Sequence, residues 1–277
     1  MDITTSKWGY RGLAAWFAVF AAVLYLPLVL LVVFSFNDNE LLVFPLKGFT
    51  THAYQQFWSN PDLKGAVVTS FKIAAVSSVA AVVLGLLASL ALVRRRFLGK
   101  AAASGLLLSP LVIPYIIFAI ALTILFHEVG ISLGLKTVIM GHIVISLPYT
   151  ILVLAPRLER IDVRLEEAAK DLGASAFRTF RSITFPLILP AIVSALLVAA
   201  TASFDEIIIA SFVAGDTVTW PIYLFSSLRF IQNQPQSVAV AVIVIAVSIL
   251  IVVASEVGRR LFERRLESQL AAAEAGA

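Results

Sequence analysis

Long apolar runs separated by short polar breaks fill almost the whole chain. The runs fall at about 13–36, 65–93, 101–126, 137–154, 187–213 and 237–256. A hydrocarbon layer of ~30 Å is crossed by about 20 helical residues, so the pattern predicts six transmembrane helices and an all-α membrane protein. Lys7 and Arg11 precede the first run, and Pro27 alone interrupts it. It is too long for the apolar part of a signal peptide, and no small-residue cleavage site follows before Asn37-Asp38-Asn39-Glu40, so it reads as a retained first helix. Residues 37–64 form the longest outer segment. Within it, Tyr54, Phe57 and Trp58 suit a helix lying at the membrane interface. Lys72, near the outer end of the second helix, can snorkel to the headgroups. Pro110 and Pro114 should bend the third helix, a feature that serves a substrate path or plain packing equally. An outer loop at 214–236 holds Trp220, Tyr223 and Arg229, and the tail from 256 to 277 is charged, Ala-rich and helical in character.

One stretch departs from this pattern. Arg157–Pro190 carries six Lys/Arg and five Asp/Glu between apolar runs. Its Ala pair and charged residues favour a helix that Gly173 can break or turn. Phe177, Phe180 and Ile183 then recur every three residues, which predicts a second short amphipathic helix. Such a helix-turn-helix between membrane segments suits docking on a soluble partner. The plain alternative is a charged, solvated loop.

Composition agrees: 60% of the 277 residues are hydrophobic, 14% are charged, and the mean hydropathy is +0.96. The net charge of +4 and pI near 9.5 could suggest nucleic acid, but the basic residues cluster in loops. Sixteen of the 21 Lys/Arg fall in the segments on the side of the termini and of Arg157–Pro190. Lys47, Lys64, Lys136 and Arg229 fall on the other side. The positive-inside bias thus predicts an N-in/C-in topology with Arg157–Pro190 in the cytoplasm, and no nucleic-acid partner.

The search for chemistry eliminates several classes. With no cysteine, disulfides, thiolate metal sites and a catalytic thiol are excluded. Gly99-Lys100-Ala101 resembles the end of a P-loop, but Arg94 stands where the first glycine belongs and no hydroxyl follows the lysine. His127-Glu128 begins a zinc-protease pattern that Ile131 breaks, and none of the three histidines pairs at ligand spacing. No G-x-S-x-G elbow occurs. The chain therefore reads as non-enzymatic on its own, with no metal site.

Asp205-Glu206, inside the fifth apolar run, is the remaining anomaly. At about 1.5 Å per residue from Pro190, Asp205 lies roughly 22 Å along a continuous helix, in the outer half of the membrane. Ionisable residues there face a cavity, a partner or water. Adjacent residues diverge by about 100°, so one of the two would face a path. That carboxylate could attract or gate a cationic solute; a salt bridge or helix-cap contact with a partner is the competing role.

The spacing Glu167-Ala168-Ala169, Gly173, Ile183, Pro186 resembles the EAA loop of ABC-importer permeases, EAA-x3-G-x9-I-x-L-P, with Phe185 at the usual leucine. The segment from Gly48 to Ser70 and the Ser203-Phe204-Asp205-Glu206 wording are similar to the polyamine-type (spermidine/putrescine) permeases. The resemblance covers essentially the whole chain. It implies a single transmembrane permease domain over 1–277 with a type I importer fold, whose loop at 157–186 is a cytoplasmic coupling helix. The coupling residues would be Glu166, Glu167, Ala168, Ala169, Asp171, Gly173 and Phe177, and the substrate path would include Phe204, Asp205 and Glu206. Implied partners are a second, related permease in a heterodimer, two ATP-binding cassette subunits, an extracytoplasmic solute-binding protein and membrane lipid. ATP-Mg would sit on the ATPase subunits and no cofactor on this chain. The setting would be the bacterial inner membrane, and the cargo a small cation such as spermidine or putrescine. Related permeases for an opine, an aminophosphonate, ferric iron or thiamine remain alternatives. A stand-alone secondary transporter, a scaffold or an insertase would leave the loop without a task, and no inverted repeat supports the first of these.

Overall fold

The computed structural model describes residues 7–39 and 41–275, and for 7–9, 256 and 259–275 the backbone alone. The side chains of Lys7, Arg259, Arg260, Arg264 and Arg265, which enter the charge count above, thus lie outside the described ones. The elements are α1 (Lys7–Ser35), α2 (His52–Ser59), α3 (Pro61–Arg94), α4 (Lys100–Leu108), α5 (Tyr115–Glu128), α6 (Leu135–Glu159) and α7 (Val163–Asp171). They continue as α8 (Ala176–Thr179), α9 (Phe185–Phe204), α10 (Ile208–Val213), α11 (Trp220–Ser227) and α12 (Gln234–Ala275). Five helices are long and apolar enough to cross a membrane, and a bent pair makes a sixth candidate. Among the described residues, an isolated antiparallel bridge between Asn37 and Phe49 is the only β pairing.

The chain divides into two compact units. The first comprises 1–64 and 224–250. Its α1 buries none of its most apolar window over Tyr10–Ser35, so that surface is left for lipid or another chain. The outer segment folds back on the end of α1. Ser35 Oγ and Tyr54 OH lie 2.7 Å apart, Phe36 and Tyr54 stack at 5.1 Å, and Thr50 N donates to Phe36 O at 2.7 Å. The aromatic segment is helical as anticipated, over α2, and buries Phe57 while Trp58 stays exposed.

The second unit comprises 65–223 and 251–277. Its core has two parts. Ile73, Ala119, Phe126, Val138, Ile145, Ile209 and Val213 join α3, α5, α6 and α10 in one. Val82, Leu154, Leu158, Ile161, Ile188 and Ala195 join α3, α6 and α9 in the other. Gly85 of α3 faces Thr150 of α6 so closely that an added Cβ would collide with the Thr150 side chain. Thr150 Oγ1 meanwhile donates to Leu147 O at 2.7 Å and approaches Ala81 O at 3.2 Å.

Three expectations need correction. The third helix, expected over 101–126 with a bend, is two limbs, Lys100–Leu111 and Tyr115–Glu128, meeting at 105°. Pro114 lacks an N–H and drives its predecessor out of the helical region, so the ladder stops there instead of bending. The fifth helix, expected over 187–213, ends at Phe204, and α10 starts afresh at Ile208. Finally, Phe177, Phe180 and Ile183 do not form a separate helix. From Ala176 the chain runs helically through a π turn at Phe180–Thr184 into α9, one span of 29 residues. Pro186 cannot donate to the carbonyl four residues back and its ring crowds that carbonyl, so a wider turn accommodates it.

Candidate functional site

The loop after α6 is built by standard end-caps. Asp162 starts α7 by accepting from Arg164 N at 3.0 Å. Gly173, at φ +83°, ends it. Gly173 N donates to Lys170 O at 2.8 Å and Ala174 N donates to Ala169 O at 3.0 Å, the paired bonds of a Schellman motif. A left-handed residue is required at that point, and glycine adopts it without strain. Ser175 then begins the next helical run, its Oγ accepting from Arg178 N at 3.4 Å.

The faces of this loop differ. Glu166 turns inward: its Oε1 lies 3.1 Å from Arg94 Nη2, 3.2 Å from Arg94 Nε and 3.1 Å from Thr184 Oγ1. Arg94 Nη2 also donates to Ile161 O at 3.2 Å. Glu167, Ala168, Asp171 and Gly173 are exposed and Ala169 is half-buried. Leu172 is 90% exposed and Phe177 72%, values that an aqueous surface does not favour for large apolar groups. The expected residues are therefore exposed, except half-buried Ala169 and Glu166, which bonds within its own bundle.

The acidic pair sits in the break between α9 and α10. Glu206 is buried, and its carboxylate accepts from Ile208 N at 2.9 Å, Ile209 N at 3.0 Å and Ala210 N at 3.0 Å. In a continuous helix those N–H groups would bond the carbonyls of Phe204, Asp205 and Glu206; the side chain replaces all three. Glu206 thus makes a helix-cap contact within its own chain, whereas the contact considered for the pair was with a partner. Asp205 is exposed beside it. Phe204 packs at a tilt of 49° against Phe71 of α3, with ring centroids 4.8 Å apart.

Behind the break runs a buried polar chain that sequence reasoning did not find. Ser77 Oγ donates to Ile73 O at 2.7 Å and lies 2.8 Å from Ser203 Oγ, which lies 2.8 Å from His142 Nδ1. His142 Nε2 faces Glu206 Oε2 at 3.6 Å. Ser77, His142 and Ser203 come from three different helices, so no sequence spacing links them. An imidazole within an apolar run was the one available signal. No cluster that could hold a metal ion occurs among the described residues.

Comparison with known proteins places this architecture. A family model described as "Binding-protein-dependent transport system inner membrane component" matches residues 81–268. A spermidine/putrescine transport system permease protein, PotC, of Haemophilus influenzae is 39% identical over 216 residues, covering 78% of this chain and 84% of the relative. A putrescine transport system permease protein, PotI, of Escherichia coli is 38% identical over 218 residues, covering 76% and 77%. Among solved structures, a bacterial ABC transporter involved in the import of the acidic polysaccharide alginate has a chain that superposes with TM-score 0.71 at 15% identity, over 94% of this chain and 98% of that one. An inward-facing MetNI methionine ABC transporter has one with TM-score 0.62 at 20% identity, over 75% and 98%. These last likenesses concern the fold alone. With its helices, its loop and its sequence in agreement, this chain belongs to the family of binding-protein-dependent transport system inner membrane components, the permease subunits of ABC importers.

Proposed function

We propose that the chain forms half of the translocation path of an ATP-driven polyamine importer in a bacterial inner membrane, with its termini and the 157–186 loop in the cytoplasm. The observation that carries the cargo is the similarity to spermidine/putrescine and putrescine permeases over more than three-quarters of the chain. A second, related permease subunit completes the path. Two ATPase subunits with ATP-Mg supply the power, and a solute-binding protein delivers the polyamine.

The loop at 157–186 is the docking element. Its exposed Glu167, Leu172 and Phe177 offer one carboxylate and two apolar groups to an ATPase cleft, and Gly173 sets the turn between them. Across the chain, Asp205 is the carboxylate available to a cation, since Glu206 is engaged with three backbone N–H groups. Phe204, beside it on Phe71, contributes an aromatic face of the kind that attracts ammonium groups.

The test is reconstitution in proteoliposomes with the companion permease, the ATPase and the binding protein, followed by uptake of labelled spermidine and putrescine. ATP-dependent accumulation supports the reading. Accumulation of neither polyamine, with another solute accumulated by the same vesicles, overturns it.

A further inference from the structure

We propose that Arg94 is a positioning residue. With Glu166 it forms a strap that stays closed throughout transport and makes the 157–186 loop and the end of α3 move as one piece. The proposal rests on the reading of that loop as the ATPase dock.

The reason lies in what α7 lacks. No residue of α7 is fully buried, so apolar packing against the end of α3 contributes little to holding the helix. Between α7 and the end of α3 is an open cavity of about 610 Å³, whose walls include Leu90, Arg94, Lys170 and Phe180. A helix held only by its two chain ends could swing across such a gap, and its displacement would then be lost as local motion. The contact that crosses the gap is the Arg94–Glu166 pair. Its side chains are only 15% and 13% exposed, so water and salt weaken it far less than a surface pair.

The geometry is that of a junction, not of a single pair. Glu166 Oε1 gathers Arg94 from α3 and Thr184 from the last residue of the π turn, while Arg94 also holds Ile161 O just before α7. Both sides of the loop and the end of α3 therefore meet at one oxygen and one guanidinium. Arg95 and Arg96 beside it are exposed, so of the three consecutive arginines Arg94 is the one turned to this task. Guanidinium geometry matters here, because two nitrogens of the same fork are used at once.

The test uses the full importer and exploits a chain free of native cysteine. In Arg94→Cys/Glu166→Cys, which lacks the ion pair, the uptake obtained per ATP should fall, and a flexible bis-maleimide that locks loop to helix should restore it to half or more of the wild-type value. Uptake per ATP that is intact before cross-linking, or that cross-linking fails to restore, would show that the contact is not a strap kept closed during transport and would overturn the proposal. Arg94→Glu alone should retain the ATPase on purification but lower the uptake obtained per ATP by about tenfold, within the range usual for coupling between sites. Arg94→Glu/Glu166→Arg should recover that ratio. An unchanged ratio in the single variant, or no recovery in the swap, also overturns it. Failure of the underlying docking reading is separately visible: the ATPase would then co-purify equally with wild type and with a Gly173→Val chain.

Discussion

His142 Nδ1 and Ser203 Oγ lie 2.8 Å apart in the interior of the helical bundle, joining α6 to α9. The same hydroxyl is 2.8 Å from Ser77 Oγ of α3, so one oxygen serves two other helices. Removing it leaves a buried imidazole nitrogen without a partner. Ser203→Ala should therefore destabilise the fold by about 1–3 kcal/mol, the usual penalty for an orphaned buried polar group. Thermal unfolding in detergent checks this, with Ser211→Ala, at an exposed position, expected to change little.

The two adjacent carboxylates should respond oppositely to neutralisation. Glu206→Gln puts an NH2 group where one capping oxygen stood, so the bonds to Ile208, Ile209 and Ala210 cannot all survive. A lower Tm is expected, by an amount corresponding to about 1–3 kcal/mol. Asp205→Asn should leave Tm within error and instead raise the apparent KM for polyamine uptake. Unfolding and uptake measured on the same preparations separate the two.

This asymmetry shows where sequence reading stopped. The expected divergence of Asp205 and Glu206 rested on a continuous helix, whereas the two lie in a break between helices, one exposed and the other buried. The sequence could not reveal that the helix ends there, because helix starts are recognised by Ser, Thr, Asp or Asn at the cap. Here Ile207 occupies the cap position and the preceding glutamate reaches forward to do its work. In the loop at 157–186 the turn at Gly173 was legible because its signal is local, whereas the continuation through Phe180–Thr184 into α9 was not. Nor was the partner of Glu166, 72 residues away in sequence.

Gly173 should tolerate substitution in proportion to the tolerance of the left-handed region. Asn enters it readily, whereas a β-branched residue pays about 1–2 kcal/mol there. Gly173→Asn should keep ATPase co-purification and uptake. Gly173→Val should lose both while still inserting into membranes, as tracked by immunoblot of the membrane fraction.

Gly85 tests the packing of α3 on α6. A methyl group at this position meets Thr150 Oγ1 and Cβ, so Gly85→Ala overpacks the contact by about 1–3 kcal/mol. Thr150→Ala removes the nearest of those atoms. The double variant should regain part, not all, of the lost stability, because the Cβ stays in place.

The Arg94–Glu166 contact also constrains how the intervening chain is threaded through the bilayer. Two groups 3.1 Å apart share a face of the membrane, so the polypeptide between them crosses an even number of times. An odd number would set them a hydrocarbon thickness of ~30 Å apart. With α6 as one crossing, the segment Lys100–Glu128, folded at 105° into limbs of about 18 and 21 Å by helical rise, is the candidate for the other. A hairpin returning to its starting face would break the parity. A single ion pair thus makes the crossing of the sharply bent segment depend on that of α6.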